Sequence, residues 1–253
     1  MPVSMEIILE LPKNEKIHQA MGSILQGALM EIIGSESAKK LHDEGLRPYS
    51  QYVYFDKNRN LPIWCVNVLN DWACEKILIP LMQQRQIFLR HKNYSMNLLK
   101  YDIVAKESYE DMAERFMSNT APMSKGVDLD FVTTASFRRD GCNVIFPEIY
   151  LILQSLLNRW NSFSTSFVID GENLPHILAN FFIVKEYNFY SQLFLLEHQK
   201  IEGFCGRMNA NFKGDNTSNR LLGLLLAYGN YSGIGIKTAL GMGAIKTNVQ
   251  FVT

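Results

Sequence analysis

The sequence is poor in cysteine and carries no net charge. Its four cysteines, Cys65, Cys74, Cys142 and Cys205, are widely separated, and no two of them form a CxxC pair. This spacing indicates neither a zinc site nor a redox motif, and we expect free thiols in a reducing compartment. The 25 basic residues equal the 25 acidic ones in number, so the total charge gives no electrostatic signature of nucleic-acid binding. Phosphates would have to bind a local basic face.

Long hydrophobic runs are also missing. The most apolar runs, residues 177–184 and 221–227, are far shorter than the roughly 20 residues that a membrane span needs. No basic and apolar leader opens the sequence, which argues against secretion. We therefore expect a cytoplasmic protein without a membrane segment.

The spacing that metal ligands require is absent as well. HxH and HxxxH patterns do not occur among the five histidines, which are His18, His42, His91, His176 and His198. No acidic cluster of the kind found in two-metal nucleases is visible. Asp128 and Asp130 stand two apart on a predicted strand, and an exposed strand face explains them. We expect neither a metal nor a cofactor.

The first half of the chain alternates strand-like and helix-like segments. The hydrophobic pattern predicts strands at 5–11, 49–56, 63–69 and 87–91, and helices at 15–33, 37–43 and 71–84. Gly34 is placed to end the first helix, and Asp71 suits the N-cap of the last one. The order β-α-β-β-α-β is that of the ferredoxin-like arrangement.

The second half repeats this mixture after a polar stretch, residues 106–120, that we interpret as the linker region. Asp140-Gly141 is a strong hairpin signal between two strands, and Pro147 opens a helix. The remaining pattern predicts a β-rich stretch at 183–212, a helix at 219–228 and a last strand at 244–252. We therefore predict an α+β protein of two tandem ferredoxin-like (RRM-like) domains, residues 1–120 and 121–253.

The most unusual segment is the loop at residues 232–243, SGIGIKTALGMG. Two GxG pairs frame Lys237, and their glycines are Gly233, Gly235, Gly241 and Gly243. Glycine permits positive φ and close approach of the backbone to a ligand, and the lysine adds a charge for phosphate. A tight connection packed between a helix and the last strand explains the glycines equally well.

Familiar nucleotide-binding motifs do not fit this loop. A P-loop has glycine directly before its Lys-Thr pair, whereas Ile236 occupies that place here. A Rossmann fingerprint opens a βαβ unit and leads into a helix, whereas this loop leads into a terminal strand. Both motifs are rejected.

Motifs at both ends of the chain resemble one family. Residues 233–244, GIGIKTALGMGA, are similar to the glycine-rich loop of the repeat-associated RNA-binding (RAMP) superfamily in CRISPR systems. Residues 21–30, MGSILQGALM, followed by Leu41-His42 and by LRPYS at 46–50, resemble the opening of the superfamily's crRNA-maturation endoribonucleases. The similarity is greatest to the enzymes of subtype III-A systems.

The resemblance implies roles for individual residues. The family's histidine at the place of His42 acts in general acid–base transfer, and a basic residue at the place of Arg47 stabilises the pentacoordinate phosphate. Without the resemblance, a lone histidine is more often structural and an arginine beside Pro48 is usually solvated surface. Some members carry a catalytic tyrosine where this chain has Met30.

The second proton-transfer role is therefore open, and His18 and Tyr49 are its candidates. Packing or surface positions explain these two residues as well. For RNA binding the candidates are the four glycines and Lys237, together with Arg138 and Arg139 at the tip of the predicted hairpin.

The implied activity is sequence-specific, metal-independent cleavage of CRISPR repeat RNA. Attack by the 2′-hydroxyl would leave a 2′,3′-cyclic phosphate and a 5′-hydroxyl. The expected partners are the precursor RNA and, in a transient hand-off, a type III interference complex, and the chain is expected to be a monomer or homodimer. Two alternatives remain: a non-catalytic repeat-RNA-binding subunit of the same superfamily, and an unrelated two-domain metabolic enzyme whose glycine-rich loop binds a nucleotide.

Overall fold

Two antiparallel sheets, each packed against helices, make up the structure. It is a computed structural model that describes residues 1–43, 45–196 and 199–252. The predicted α+β class is confirmed. No helix in these ranges is long and apolar enough to cross a membrane.

The first sheet has five strands in the order β2-β3-β1-β5-β4. Its strands are β1 Val3–Glu10, β2 Tyr49–Asp56, β3 Leu61–Val68, β4 Gln86–Leu89 and β5 Tyr94–Lys106. The helical segments are α1 Met21–Asp43, α2 Asp71–Ala73, a π-helical turn Cys74–Leu78 and α3 Ile79–Met82. Asn70 rather than Asp71 is the N-cap, because its side chain accepts from the Ala73 amide.

Helix α1 consists of two helical pieces. Gly34 has φ 80° and breaks the helix as predicted, because glycine adopts positive φ without strain from a Cβ. The start is a correction: the helix begins at Met21, whereas the spacing of Ile17 and Met21 predicted a start at residue 15. Residues 11–20 form turns and irregular backbone instead.

Strand β5 is the second correction. It pairs with β1 in the middle of the sheet, and the predicted strand at 87–91 is the edge strand β4, which pairs only with β5. The sequence signal of β5 is weak because Met96 and Leu98 are its only fully buried residues. A mostly exposed strand lacks the alternation on which strand prediction depends.

The second sheet has four strands in the order β11-β6-β10-β9. After helix α4 Tyr109–Met117 come β6 Ser124–Ala135, the hairpin of β7 Phe137–Arg139 and β8 Cys142–Val144, and helices α5 Ile149–Phe163 and α6 Leu174–Asn180. The chain ends with β9 Phe182–Leu196, β10 Gln199–Phe212, α7 Asn216–Ser232 and β11 Ile245–Phe251.

Both sheets share one arrangement. Without the edge strand β4, the first sheet reads second, third, first, fourth strand, and the second sheet repeats that order as β9-β10-β6-β11. This is consistent with two ferredoxin-like units. The buried cores divide similarly, with one drawn mainly from Val3 to Leu98 and the other from Tyr109 to Ile245. The boundary at residue 120 stays a prediction.

Candidate functional site

The glycine-rich loop between α7 and β11 packs against the protein's own backbone. Gly235 and Gly243 have φ of 69° and 65°, and a Cβ would lie 2.2 Å from the Ser136 carbonyl oxygen at the first and 1.9 Å from the Ile234 carbonyl oxygen at the second. Gly233 and Gly241 also have positive φ and are buried. These glycines permit close packing within the chain, which supports the alternative of a packed connection for most of the loop.

The loop is also fixed to the first sheet. Gln51 on β2 is 1% exposed, and its Nε2 donates to the carbonyls of Gly22 at 2.6 Å and Ala239 at 3.0 Å. The Gln51 Oε1 in turn accepts from Trp64 Nε1 at 2.7 Å. A Cβ at Gly22 would lie 2.8 Å from the Leu240 carbonyl oxygen, so the start of α1 lies directly on the loop. The loop therefore joins the two sheets.

Helix α5 holds the other end of the loop through two side chains one turn apart. Ser155 Oγ accepts from the Gly235 amide at 2.9 Å, and Arg159 Nη2 donates to the Gly235 carbonyl at 3.2 Å. Residues four apart share a helix face, so both reach the same residue. Both the amide N–H and the carbonyl oxygen of Gly235 are thus hydrogen-bonded to side chains of α5.

Lys237 is the exposed residue at the tip of the loop. Its φ is 54°, in the left-handed region that few residues other than glycine occupy. Its carbonyl accepts from the Leu240 amide at 2.9 Å in the 3-10 turn Thr238–Leu240. Such a conformation persists when the surrounding structure enforces it, and it is common at functional sites. The loop therefore presents one cation at a fixed place.

A cavity of ≈ 200 Å³ brings the loop to the segment after α1. It is lined by Leu46 and Arg47 on one side, by Lys237 and Leu240 on another, and by Arg159. The structure thus brings together two predicted site residues, Arg47 and Lys237, that are 190 positions apart in the chain. Arg159 is a third cation that sequence reasoning missed.

Two neighbouring cavities extend this basic surface. One of ≈ 290 Å³ is lined by Arg138, Lys200 and Lys237, and one of ≈ 180 Å³ by Arg138, Arg159 and Gly235. Among the described residues that line the three cavities there is no Asp or Glu. We name these cations the basic track; they are Arg47, Arg159, Lys237, Arg138 and Lys200.

Arg139 points away from the basic track. Its Nη1 lies 2.5 Å from the Glu148 carboxylate, and the pair is exposed. The predicted hairpin turn is present, with Asp140 and Gly141 both at positive φ as a tight two-residue turn requires. The tip therefore separates its two arginines: Arg138 lines the track, and Arg139 forms an ion pair.

His42 is exposed in the last turn of α1, five residues before Arg47. No described residue forms a hydrogen bond or ion pair with His42. The ring is therefore accessible to a ligand in the described part of the chain.

The three residues considered for the second proton transfer lie in different surroundings. Tyr49 is fully buried, and burial raises the pKa of its hydroxyl, which lies near Arg47 and Gln26 without a well-oriented hydrogen bond. His18 is exposed in the loop before α1, where partial burial and then the nearby Lys92 lower its pKa. Met30 is partly buried and packs against the hydrophobic core of the first sheet.

No group of three His, Cys, Asp or Glu side chains in the described ranges has the arrangement of a metal site. The contacts of Asp128 fit the interpretation that it lies on an exposed strand face. Its carboxylate accepts hydrogen bonds from the side chains of Asn209 at 2.7 Å and Gln250 at 3.0 Å. His198 lies outside the described residues.

Comparison with known proteins gives a consistent result. The model of the CRISPR-associated endoribonuclease Cas6 family matches residues 129–245. The curated Cas6 endoribonuclease of Streptococcus thermophilus is 28% identical over 222 residues, which cover 87% of this chain and 88% of that protein. The Cas6 of Mycobacterium tuberculosis is 26% identical over 236 residues, with 89% and 71% covered.

The fold agrees over the whole chain. A solved Cas6 product complex superposes with a TM-score of 0.80 at 20% sequence identity, covering 98% of this chain and 99% of that one. A RAMP protein that binds different RNA substrates superposes less closely, with a TM-score of 0.59. In sequence the chain is thus similar to CRISPR-associated endoribonucleases of the Cas6 family, and it shares the fold of their solved structures.

Proposed function

We propose that this chain is an endoribonuclease that cleaves the repeats of CRISPR transcripts to produce guide RNAs. The observation that carries the proposal is the basic track, whose three cavities are lined by no described Asp or Glu. Cations neutralise RNA phosphates, and a neutral chain that concentrates them on one surface can bind RNA there. The proposal is also supported by the curated relatives, which are named as CRISPR-associated endoribonucleases.

The chemistry we propose uses the RNA's own 2′-hydroxyl as the nucleophile. His42 transfers a proton, since an imidazole titrates near neutral pH and this one is accessible at the end of α1. Arg47, in the cavity, stabilises the charge that develops on the phosphorane. Holding the hydroxyl in line with the departing 5′-oxygen makes the step intramolecular, which supplies much of the acceleration. The products are a 2′,3′-cyclic phosphate and a 5′-hydroxyl, and no metal takes part.

Of the two candidates for the second proton transfer, His18 is the exposed one. Its lowered pKa keeps the ring neutral near pH 7, and a neutral imidazole can accept a proton. Tyr49 is fully buried, and its raised pKa makes its hydroxyl a weaker acid. We therefore propose that Tyr49 positions Arg47 from the protein interior. His18 is the stronger candidate for the second proton transfer.

The test is incubation with the repeat RNA of the chain's own CRISPR locus in excess EDTA, followed by mapping of the product ends. We expect one cut, a cyclic phosphate and a 5′-hydroxyl. A repeat with a single 2′-deoxy nucleotide upstream of the scissile phosphate should bind and stay intact. A 5′-phosphate product, or loss of activity restored by Mg²⁺, would contradict the mechanism. Tight binding of an unmodified repeat that stays whole would identify the non-catalytic RNA-binding subunit instead.

A further inference from the structure

Arg159 is an arginine in the interior of the protein. The side chain is 4% exposed, and burial lowers the pKa of its guanidinium because the charged form loses hydration. Arginine nevertheless remains charged in proteins. The guanidinium forms one hydrogen bond, to the Gly235 carbonyl, and its Nε and Nη1 have no partner. In the described part of the chain no carboxylate pairs with it.

A buried charge with unmet donors destabilises a protein unless a counter-charge meets it. Arg159 lines the ≈ 200 Å³ cavity together with Arg47 and Lys237, so three cations face one space. Like charges repel, and an anion bound among the three cations offsets that repulsion. The cavity therefore suits an oxyanion.

The size of the cavity restricts that oxyanion. A water molecule occupies about 30 Å³ of liquid, so ≈ 200 Å³ corresponds to about seven waters. This is room for a phosphate group with part of its sugar. The lining also includes Leu46 and Leu240, which suit a sugar more than a second charged group.

We propose that this cavity binds one backbone phosphate of the RNA and that Arg159 is a phosphate-binding residue there, beside Arg47 and Lys237. The identification of the ligand as RNA rests on the proposed function. The planar guanidinium offers donors in a fork that matches two phosphate oxygens. Because the same side chain holds the Gly235 carbonyl, bound RNA would also be linked to the conformation of the loop that carries Lys237.

A merely structural role for Arg159 makes a different prediction. Ser155 and Arg159 together hold Gly235, so loss of either would loosen the loop without changing how many phosphates the protein neutralises. The number of neutralised phosphates is read from the slope of log affinity against log salt, which changes by about 0.7 to 0.9 for each phosphate. The salt slope therefore separates the two roles.

The experiment compares the wild type with Arg159→Met, Arg159→Lys and the matched control Ser155→Ala, using the 2′-deoxy repeat RNA that cannot be cut. We expect Arg159→Met to weaken binding about ten-fold and to lower the salt slope by about one phosphate. Arg159→Lys should keep the slope with an intermediate affinity, and Ser155→Ala should keep the wild-type slope. Arg159→Met with wild-type slope and affinity would overturn the proposal.

Inorganic phosphate provides a second measurement that does not depend on RNA or on the stability of Arg159→Met. A ligand that binds the folded state raises the unfolding temperature, so phosphate should stabilise the wild type more than Arg159→Lys. Equal stabilisation of the two would contradict the proposal. If phosphate binding depends on Arg159 while the repeat RNA neither binds nor is cut, the proposed function fails and the anion site stands. If the wild type cuts the repeat and Arg159→Met and Arg159→Lys bind it like the wild type, the inference fails and the function stands.

Discussion

The glycine-rich loop and the segment from His42 to Arg47 meet at one cavity but are built in opposite ways. The loop is mostly buried, held by Gln51 from the first sheet and by Ser155 and Arg159 from α5, and it exposes Lys237. The segment begins in the last turn of α1, and its two functional candidates, His42 and Arg47, are exposed and half-buried. The loop is therefore a fixed support that positions one charge, whereas the segment carries the groups suited to chemistry.

This difference separates stability from activity. Changes in the loop should act first on folding, because its residues pack against the backbone of both sheets. Changes in the segment should act on cleavage with little effect on folding, because exposed side chains contribute little packing. Each of the following predictions tests one side of that separation.

His42→Ala should have the largest effect. We expect cleavage to fall about 10² to 10⁴-fold, because a proton-transfer group is lost, while repeat-RNA affinity stays within a few-fold. The unfolding temperature should not change, since the ring is exposed. The measurement is single-turnover cleavage beside a binding titration and a thermal melt.

The matched control is His176→Ala, another exposed histidine, whose ring stacks on Tyr150 with centroids 3.7 Å apart. This variant should cleave like the wild type. Wild-type cleavage by a folded His42→Ala protein would remove the residue from the mechanism. Equal losses for both histidines would mean that the effect is structural.

Much of this fold follows from the sequence, because its elements carry strong periodic signals. The break at Gly34 and the hairpin at Asp140-Gly141 both occur where glycine permits the required φ. Strand β5 escaped prediction because only Met96 and Leu98 along it are fully buried. A strand whose pairing comes from backbone hydrogen bonds, with few apolar contacts, leaves little trace in a hydrophobic pattern.

The site is less predictable than the fold because it combines distant segments. Motifs singled out Arg47 and Lys237 separately, but nothing in the order of residues indicates that they line one cavity. Arg159 gives a faint signal, an arginine directly beside the apolar stripe of α5 and next to Trp160. The sequence suggested that the glycines let the loop cradle a ligand. In the structure, glycine is needed there because the loop packs against carbonyl oxygens of the chain itself, and only the fold reveals these contacts.

Gly243→Ala should destabilise the protein most among changes in the loop. The new Cβ would lie 1.9 Å from the Ile234 carbonyl oxygen at a φ of 65°. Left-handed strain of about 1 to 2 kcal/mol and overpacking of about 1 to 3 kcal/mol together give a loss of roughly 3 kcal/mol in the free energy of unfolding. Chemical denaturation measures this loss.

Gly27→Ala is the control for that variant. Gly27 lies inside α1 with open space beside it, so alanine should stabilise the helix by about 0.5 to 1 kcal/mol. Opposite signs for the two alanines are expected. A Gly243→Ala protein as stable as the wild type would show that the loop is not the fixed support described here.

Lys237→Asn should have a moderate effect confined to binding. Asparagine tolerates the left-handed φ of 54° better than most residues, so the backbone of the loop is kept while its charge is removed. We expect affinity for the uncut repeat to fall several-fold and the salt slope to fall by about 0.7 to 0.9. Lys213→Asn, an exposed lysine outside the three cavities, should leave the slope unchanged. An unchanged slope for Lys237→Asn would remove this lysine from the RNA contact.

Tyr49→Phe should have the smallest effect. It tests whether a buried side chain takes part in the cleavage reaction. The tyrosine is fully buried with no well-oriented hydrogen bond at its hydroxyl, so removing the oxygen should change the free energy of unfolding by less than about 1 kcal/mol. Burial raises the pKa of this hydroxyl, so it stays neutral across the pH range of cleavage and neither a charge nor a titration is lost. We expect the cleavage rate within about three-fold of the wild type and an unchanged pH profile, against the roughly 10² to 10⁴-fold loss that removal of a proton-transfer group produces. A loss of that larger size in a protein that unfolds at the wild-type temperature would place Tyr49 in the mechanism in place of His18, and the buried layer beneath Arg47 would then take part in the reaction.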